Sequence, residues 1–504
     1  MINYLYNLMY RITGFLIFST LVYIMYYIFT RRKLYAYSKQ FLGEFAFPLI
    51  GNCYMLIGKN EDVLIKLAKF FKKFDGVNQP LKFWLGSKLC IIFTNPHQVE
   101  KILFSQKLSH KMEIYDILKR FVGEGLITAS GAEYRRHKKI IVPILDLNFI
   151  NSLYDVFLKY SQKCTEDLMF YCNKGTLDIE PFIHDCFLRT VSHAFLGKEY
   201  DEESKDDHQF KLDVIEIYDK ILTRLIRPWL HPDFIYQMTS LAKREDELMQ
   251  RCHAYIGKAV IESWRRFQSG TASNKDIIPL IDFLTERVAE HPDLMNEKFF
   301  FDHIFTLFLA SEDTLTIIAS FLCVCLGMYP EYQEKLAEEL RRHFGETPRA
   351  ASMEDISRLP YLEMCIKETL RVVPIGPILL RKITEECEID GWKLPEGASL
   401  LMPVYFIHRD RRYWQNPDHF YPDHFLPEAV KGRPTYAYMP FSGGIRGCIG
   451  KVFSNVNLKI FMATFLQRFE VEADGKLPDI KFKIDISVRP INGYKVRIKK
   501  RQWK

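Results

Sequence analysis

The sequence predicts a mainly α protein with a smaller β-rich part, preceded by one N-terminal transmembrane helix. Three observations carry this. A stretch without charge opens the chain, apolar residues recur at helical spacing to about residue 375, and short β-like runs among prolines and glycines follow. With 504 residues, 48% of them hydrophobic and 26% charged, the chain fills a large core, which excludes disordered and low-complexity classes. Sixty-nine basic residues against 62 acidic ones leave a formal charge of +7 spread along the chain, so nucleic acid is not an expected partner.

The uncharged stretch is ITGFLIFSTLVYIMYYIFT, Ile12 to Thr30. As a helix it measures about 28 Å, just enough for a hydrocarbon core of about 30 Å. Arg11 precedes it and Arg31, Arg32 and Lys33 follow, so the body of the protein is expected on the cytoplasmic side. A cleaved signal peptide is the alternative, but no alanine stands before Ala36 to make a small-residue cleavage site. The expected division is an anchor over 1–33, with the span at 12–30, and a single catalytic domain over 34–504.

FPLIGN then breaks the chain at Pro48 and Gly51. Helical spacing marks Asp155 to Cys172, Phe210 to Ile226 and Glu245 to Phe267. Asn296 to Tyr329 is apolar nearly all round and ends at Pro330. It is expected to be a core helix; a second membrane span is disfavoured because Glu312 and Asp313 lie in its middle. Beyond 375 the strand-like runs are Ile378 to Thr384, Cys387 to Ile389 and Ser399 to Val404, and Asn492-Gly493 between alternating segments predicts a terminal hairpin.

Eleven cysteines, odd in number and without a CxxC pair, predict neither a disulfide framework nor a zinc site, and a cytosol-facing, reducing compartment. One stands apart. Cys448 lies in PFSGGIRGCIG, whose glycines let backbone N–H groups approach a sulfur, and a helix begins just beyond. Both features favour a thiolate able to ligate iron, and Arg446 can pair with a carboxylate of a ligand.

Phe441, Gly444, Arg446, Cys448 and Gly450 fit FxxGxRxCxG, and the segment resembles the haem-binding loop of the cytochrome P-450 superfamily. Other segments follow the family's order. Glu368 and Arg371, in ETLRVVPIGP, match its ExxR; the same spacing at Glu133/Arg136, Glu262/Arg265, Glu338/Arg341 and Glu339/Arg342 is explained by surface i,i+3 pairs. The resemblance implies that Glu368 and Arg371 are locked by an arginine at the position where this chain has His424, so the lock is expected to be weaker or differently hydrogen-bonded. Ala310, Ser311, Glu312, Asp313 and Thr314 resemble the oxygen-activation motif, which assigns proton transfer to Asp313 and Thr314; Ser311 replaces the usual glycine. Tyr134 and Lys138 occupy the family's WxxxR, and Arg381 stands where a further propionate-binding arginine is common.

The resemblance runs from FPLIGN to the end of the chain and implies a cytochrome P-450 fold. RPWLHPDFIY and DHFLPE are similar to insect microsomal members of the clan around the fatty-acid hydroxylases of the fourth family. It further implies haem b bound through the Cys448 thiolate, with Arg446, Lys138, Arg381, Tyr134 and Phe441 around it. No ester link to haem is expected, because Ala310 replaces the glutamate that forms it. The implied activity is NADPH- and O2-dependent hydroxylation of an apolar substrate such as a fatty acid, hormone or xenobiotic, with electrons from NADPH-cytochrome reductase at the endoplasmic reticulum membrane. Two alternatives stay open, a haem-thiolate isomerase or dehydratase and a non-catalytic haem or lipid binder.

Overall fold

The computed structural model describes residues 2–503 apart from 202, 226, 271–276, 292–296 and 485–486. The first helix, Ile2–Ser38, extends the uncharged stretch at both ends. Within its apolar part, Met9–Ser38, an 18-residue window of mean hydropathy 1.9 is only 6% buried, while Leu34 and Tyr35 near its end pack on the protein. The other helix of comparable hydropathy, Lys298–Met328, is 78% buried. The second reading of that segment, a membrane span, is thereby corrected: protein side chains, rather than lipid, surround it. Asn296 lies outside the described residues.

This core helix, Glu297–Met328, runs through the centre of the fold. Ile304, Phe305, Phe308, Leu315, Ile317, Phe321 and Leu322 are fully buried on several of its faces, each worth about 1.5–3 kcal/mol of apolar burial. Tyr329 and Pro330 end it, with Pro330 serving as first residue of the next helix, where its missing N–H costs nothing. Glu180–Val191 packs along one side, and Tyr154–Met169 lies between that helix and Lys451–Arg468. Lys205–Leu225 and Ser240–Ser269 form an antiparallel pair above them. The predicted helices are thus present with shifted ends; Ile226 falls outside the described residues.

The β-rich part divides. One four-stranded sheet has the order Leu81–Leu85, Lys88–Ile92, Ser399–Met402, Leu379–Lys382, and its register places Arg381 opposite Leu400. Cys387–Ile389 pairs with Trp392–Leu394. The terminal hairpin does not form. Val488–Pro490 pairs back onto Phe482–Ile484, whereas Lys495–Lys500 pairs with Phe469–Glu472 and Leu177–Asp178. Gly493, at φ +75°, turns the chain from one sheet to the other, and a β-carbon there would lie 2.0 Å from an Asp178 carboxylate oxygen. Local alternation about a turn signal does not specify the partner strand, and here apolar burial of Val488, Val496 and Ile498 against the core decides it.

Candidate haem-thiolate site

Of the eleven cysteines seven are buried, three are partly buried, and Cys448 alone is exposed. Its surroundings are nevertheless deep, for burial pushes its thiol up from the ordinary range while a backbone N–H of Gly450 pulls it back. Residue 448 is thus accessible while the protein around it desolvates its thiol. The loop by itself therefore does not make a thiolate, contrary to the expectation from its glycines; a metal cation is what completes that chemistry. The loop is closed by the Cys448 N–H donating to the carbonyl of Phe441 at 2.9 Å, and the Phe441 ring packs on the main core. Gly444 has φ +60°, and a β-carbon there would lie 2.1 Å from the Leu103 carbonyl oxygen, so only glycine lets the loop meet that segment.

Four cations gather beside the cysteine. Arg446 donates to the Ala129 carbonyl at 2.7 Å and lies 3.6 Å above the Tyr134 ring. Lys138 Nζ and Tyr134 Oη both donate to the carbonyl of Ile445, at 2.7 and 2.9 Å. Arg381 is buried on its strand and donates only to the Leu380 carbonyl. The fourth, Lys111, was not singled out from sequence. Burial and the charges of Arg381 and Arg446 push its ammonium well down, and burial lowers Arg446 to about 10. Burial also lowers Arg381 and Lys138. None of the four pairs with a carboxylate among the described residues. Like charges gathered at depth are costly unless an anion joins them. A planar apolar group carrying two carboxylates, as haem b does, fits this cluster together with Cys448.

On the core helix, Ala310 and Thr314 lie one turn apart and keep partial exposure. The helix is regular α through Ser311. Thr314 Oγ1 donates to the Ala310 carbonyl at 2.8 Å, leaving its lone pairs to accept. Asp313 opens into a cavity that His184 and Tyr218 also line, and is ion-paired with Arg489, a residue that sequence reading missed because it comes from the far end of the chain. Burial raises the Asp313 carboxyl, and Arg489 pulls the other way.

Glu368 and Arg371 are fully buried and joined by two hydrogen bonds of 2.8 and 2.7 Å. Arg371 also donates to the carbonyls of His408, Pro417 and His419, tying its helix to the segment before the cysteine loop. His424 Nδ1 is 3.2 Å from both Glu368 oxygens and Nε2 is 2.7 Å from the Gln415 carbonyl. Each ring nitrogen thus faces an acceptor. The missing arginine is partly replaced from elsewhere, since Arg433 donates to the His424 carbonyl and stacks 3.9 Å over Trp414. Of the other ExxR spacings, Glu262 pairs with Arg266, Arg341 pairs with Glu346, and Glu339 accepts the Tyr361 and Leu362 N–H groups at a helix start.

An interior cysteine loop, a cation cluster for two carboxylates and a long helix with paired acid and hydroxyl define a haem-thiolate oxidoreductase. The chain belongs to the cytochrome P450 family, whose model matches residues 42–498. It is similar to Cytochrome P450 4c3 of Drosophila melanogaster, 29% identical over 97% of this chain and 94% of that protein. It is also similar to mouse Cytochrome P450 4V2, 28% identical over 90% of this chain and 89% of that protein. Probable cytochrome P450 4aa1 of Drosophila melanogaster is 29% identical, over 92% and 90%. All three carry the number of the fourth family. The chain is accordingly a monooxygenase that binds haem b through a cysteine thiolate, with a redox partner and an apolar substrate implied by the family.

Proposed function

We propose that the protein is an NADPH- and O2-dependent monooxygenase of the endoplasmic reticulum membrane, anchored by residues 1–33 with residues 34–504 on the cytoplasmic side. It hydroxylates a fatty acid, hormone or xenobiotic. The observation that carries the reading is the one exposed cysteine beside four cations that have no carboxylate partner among the described residues. Cys448 would supply the thiolate that binds the haem iron. Arg446, Lys138, Arg381 and Lys111 hold the propionates, with Tyr134 supporting Arg446 from beneath and Phe441 closing the loop. Haem b, when bound, supplies the dioxygen chemistry, and a thiolate ligand favours O–O cleavage. Asp313 and Thr314 move protons to that side of the site, while Glu368, Arg371 and His424 hold the fold around the loop.

The test is a redox assay on the membrane-bound protein with NADPH-cytochrome reductase. Product formed in step with NADPH supports the reading. Rearrangement of a peroxide without reductant assigns an isomerase or dehydratase instead, and neither outcome with haem bound assigns a binder. Thr314→Ala is expected to lower product per NADPH severalfold with haem content unchanged, because the hydroxyl orders proton delivery and touches no propionate ligand. Unchanged coupling in that variant places the relay elsewhere.

Electrons come from the reductase on the face nearest Cys448. Arg135, Arg136 and Lys139 are exposed on the Gly131–Ile141 helix, and Lys451 is exposed just after the loop. Such a patch steers an acidic partner, an effect screened by salt. Reversing Arg135 and Lys451 together to glutamate is expected to slow reductase-driven turnover at low ionic strength and to spare peroxide-driven turnover. An unchanged rate and salt dependence removes the docking site from this face.

A further inference from the structure

Two acids stand side by side in the core helix, and only one belongs to the motif. Glu312 is fully buried. Its Oε1 lies 2.5 Å from Nε2 of His184, on the Glu180–Val191 helix, and its Oε2 is 3.2 Å from the Tyr218 hydroxyl, which donates more closely to the Leu309 carbonyl at 2.9 Å. His184 and Tyr218 also line a cavity of about 490 Å³ into which Asp313 and Arg489 open, together with Glu180, Lys211 and Lys483. His184 therefore touches Glu312 on one side and the cavity on the other. Burial opposes the charge on His184, but the Glu312 carboxylate outweighs it and pushes the imidazole up to about 9, with Glu180 assisting and Lys211 opposing. Both His184 and Glu312 act on Asp313 through space, in opposite senses. A buried ion pair on an apolar helix is a poor means of stabilisation, since its desolvation cost is large.

We propose that His184 and Glu312 are positioning residues for proton supply, holding a protonated imidazole at the cavity wall so that Asp313 exchanges protons with solvent through that cavity. The proposal rests on the assignment of Asp313 and Thr314 above. Hydroxylation consumes two protons per turnover, RH + O2 + 2e⁻ + 2H⁺ → ROH + H2O, whereas the peroxide-driven reaction, RH + H2O2 → ROH + H2O, consumes none. A supply route is therefore visible in the first reaction and silent in the second.

The test uses the full-length holoenzyme. In the wild type, product per NADPH is expected to fall along an alkaline limb near pH 9. His184→Gln is expected to remove that limb, lower coupling at neutral pH, raise the solvent deuterium isotope effect and leave peroxide-driven turnover unchanged. Thermal unfolding supplies a second readout. A raised histidine stabilises fully below its ordinary value of 6.5 and loses that contribution as pH rises through about 9, so the wild-type midpoint falls over this window and that of His184→Gln does not. If the unfolding difference appears while the coupling limb is the same in both proteins, the pair is structural only and the proposal is overturned. Tyr218→Phe leaves the His184–Glu312 pair in place, so the limb is expected to persist; loss of the limb in that variant also overturns the proposal. A wild type lacking the red-shifted carbon monoxide band instead defeats the haem-thiolate assignment, a different failure.

Discussion

Replacing Cys448 with alanine is expected to abolish the red-shifted Soret band of the reduced, carbon monoxide-bound protein and all monooxygenase turnover. No other cysteine offers a replacement. Seven are buried, and Cys53, Cys172 and Cys387 are only partly buried and lie outside the cysteine loop. The fold should survive, because the loop is closed by the backbone bond from residue 448 to the Phe441 carbonyl, which alanine keeps. Haem content is expected to fall without vanishing, since the cations proposed above to hold the propionates are unchanged in this variant. The measurement is the carbon monoxide spectrum beside a pyridine haemochrome assay. A persistent red-shifted band would show that the sulfur ligand is another residue.

The second large effect is on folding. Arg371→Ala is expected to destabilise the protein by about 3–5 kcal/mol, because it strands the buried Glu368 carboxylate. It also leaves the carbonyls of His408, Pro417 and His419 without their donor. These carbonyls lie on the segment that leads to the cysteine loop, so the loss spreads toward the site. Against a folded stability of roughly 5–15 kcal/mol this is enough to prevent accumulation of haem-loaded protein. Arg371→Lys should fare little better, as one ammonium cannot reproduce the planar fork that serves two carboxylate oxygens and three carbonyls. The check is expression yield and thermal unfolding; a well-expressed, haem-replete Arg371→Ala defeats the argument.

Much of the site was legible because its chemistry is local in sequence. Phe441 to Gly450 forms its own loop, and Glu368 and Arg371 sit one helical turn apart, so spacing alone places them together. The apolar run at the N-terminus and the helix that is apolar all round follow from composition and length. His424 was read as a changed lock, and the structure agrees that it reaches Glu368.

The remainder depended on which segments meet. Lys111 joins Arg381 and Arg446 through a connecting segment with no periodic pattern, and Arg433 supports His424 from nine residues downstream. Arg489 reaches Asp313 only because Val488–Pro490 folds back onto Phe482–Ile484 instead of onto Lys495–Lys500. Glu312 and His184 come from helices distant in the chain that pack face to face. Sequence by itself determined the membrane-type helix, the core helix, the cysteine loop and the buried Glu368–Arg371 pair, since each depends on neighbours within a few residues or on apolar composition. Tertiary structure alone decided the partners of the buried charges and the pairing of the last strands, because a charge or a strand edge accepts many partners and only the packed core selects among them.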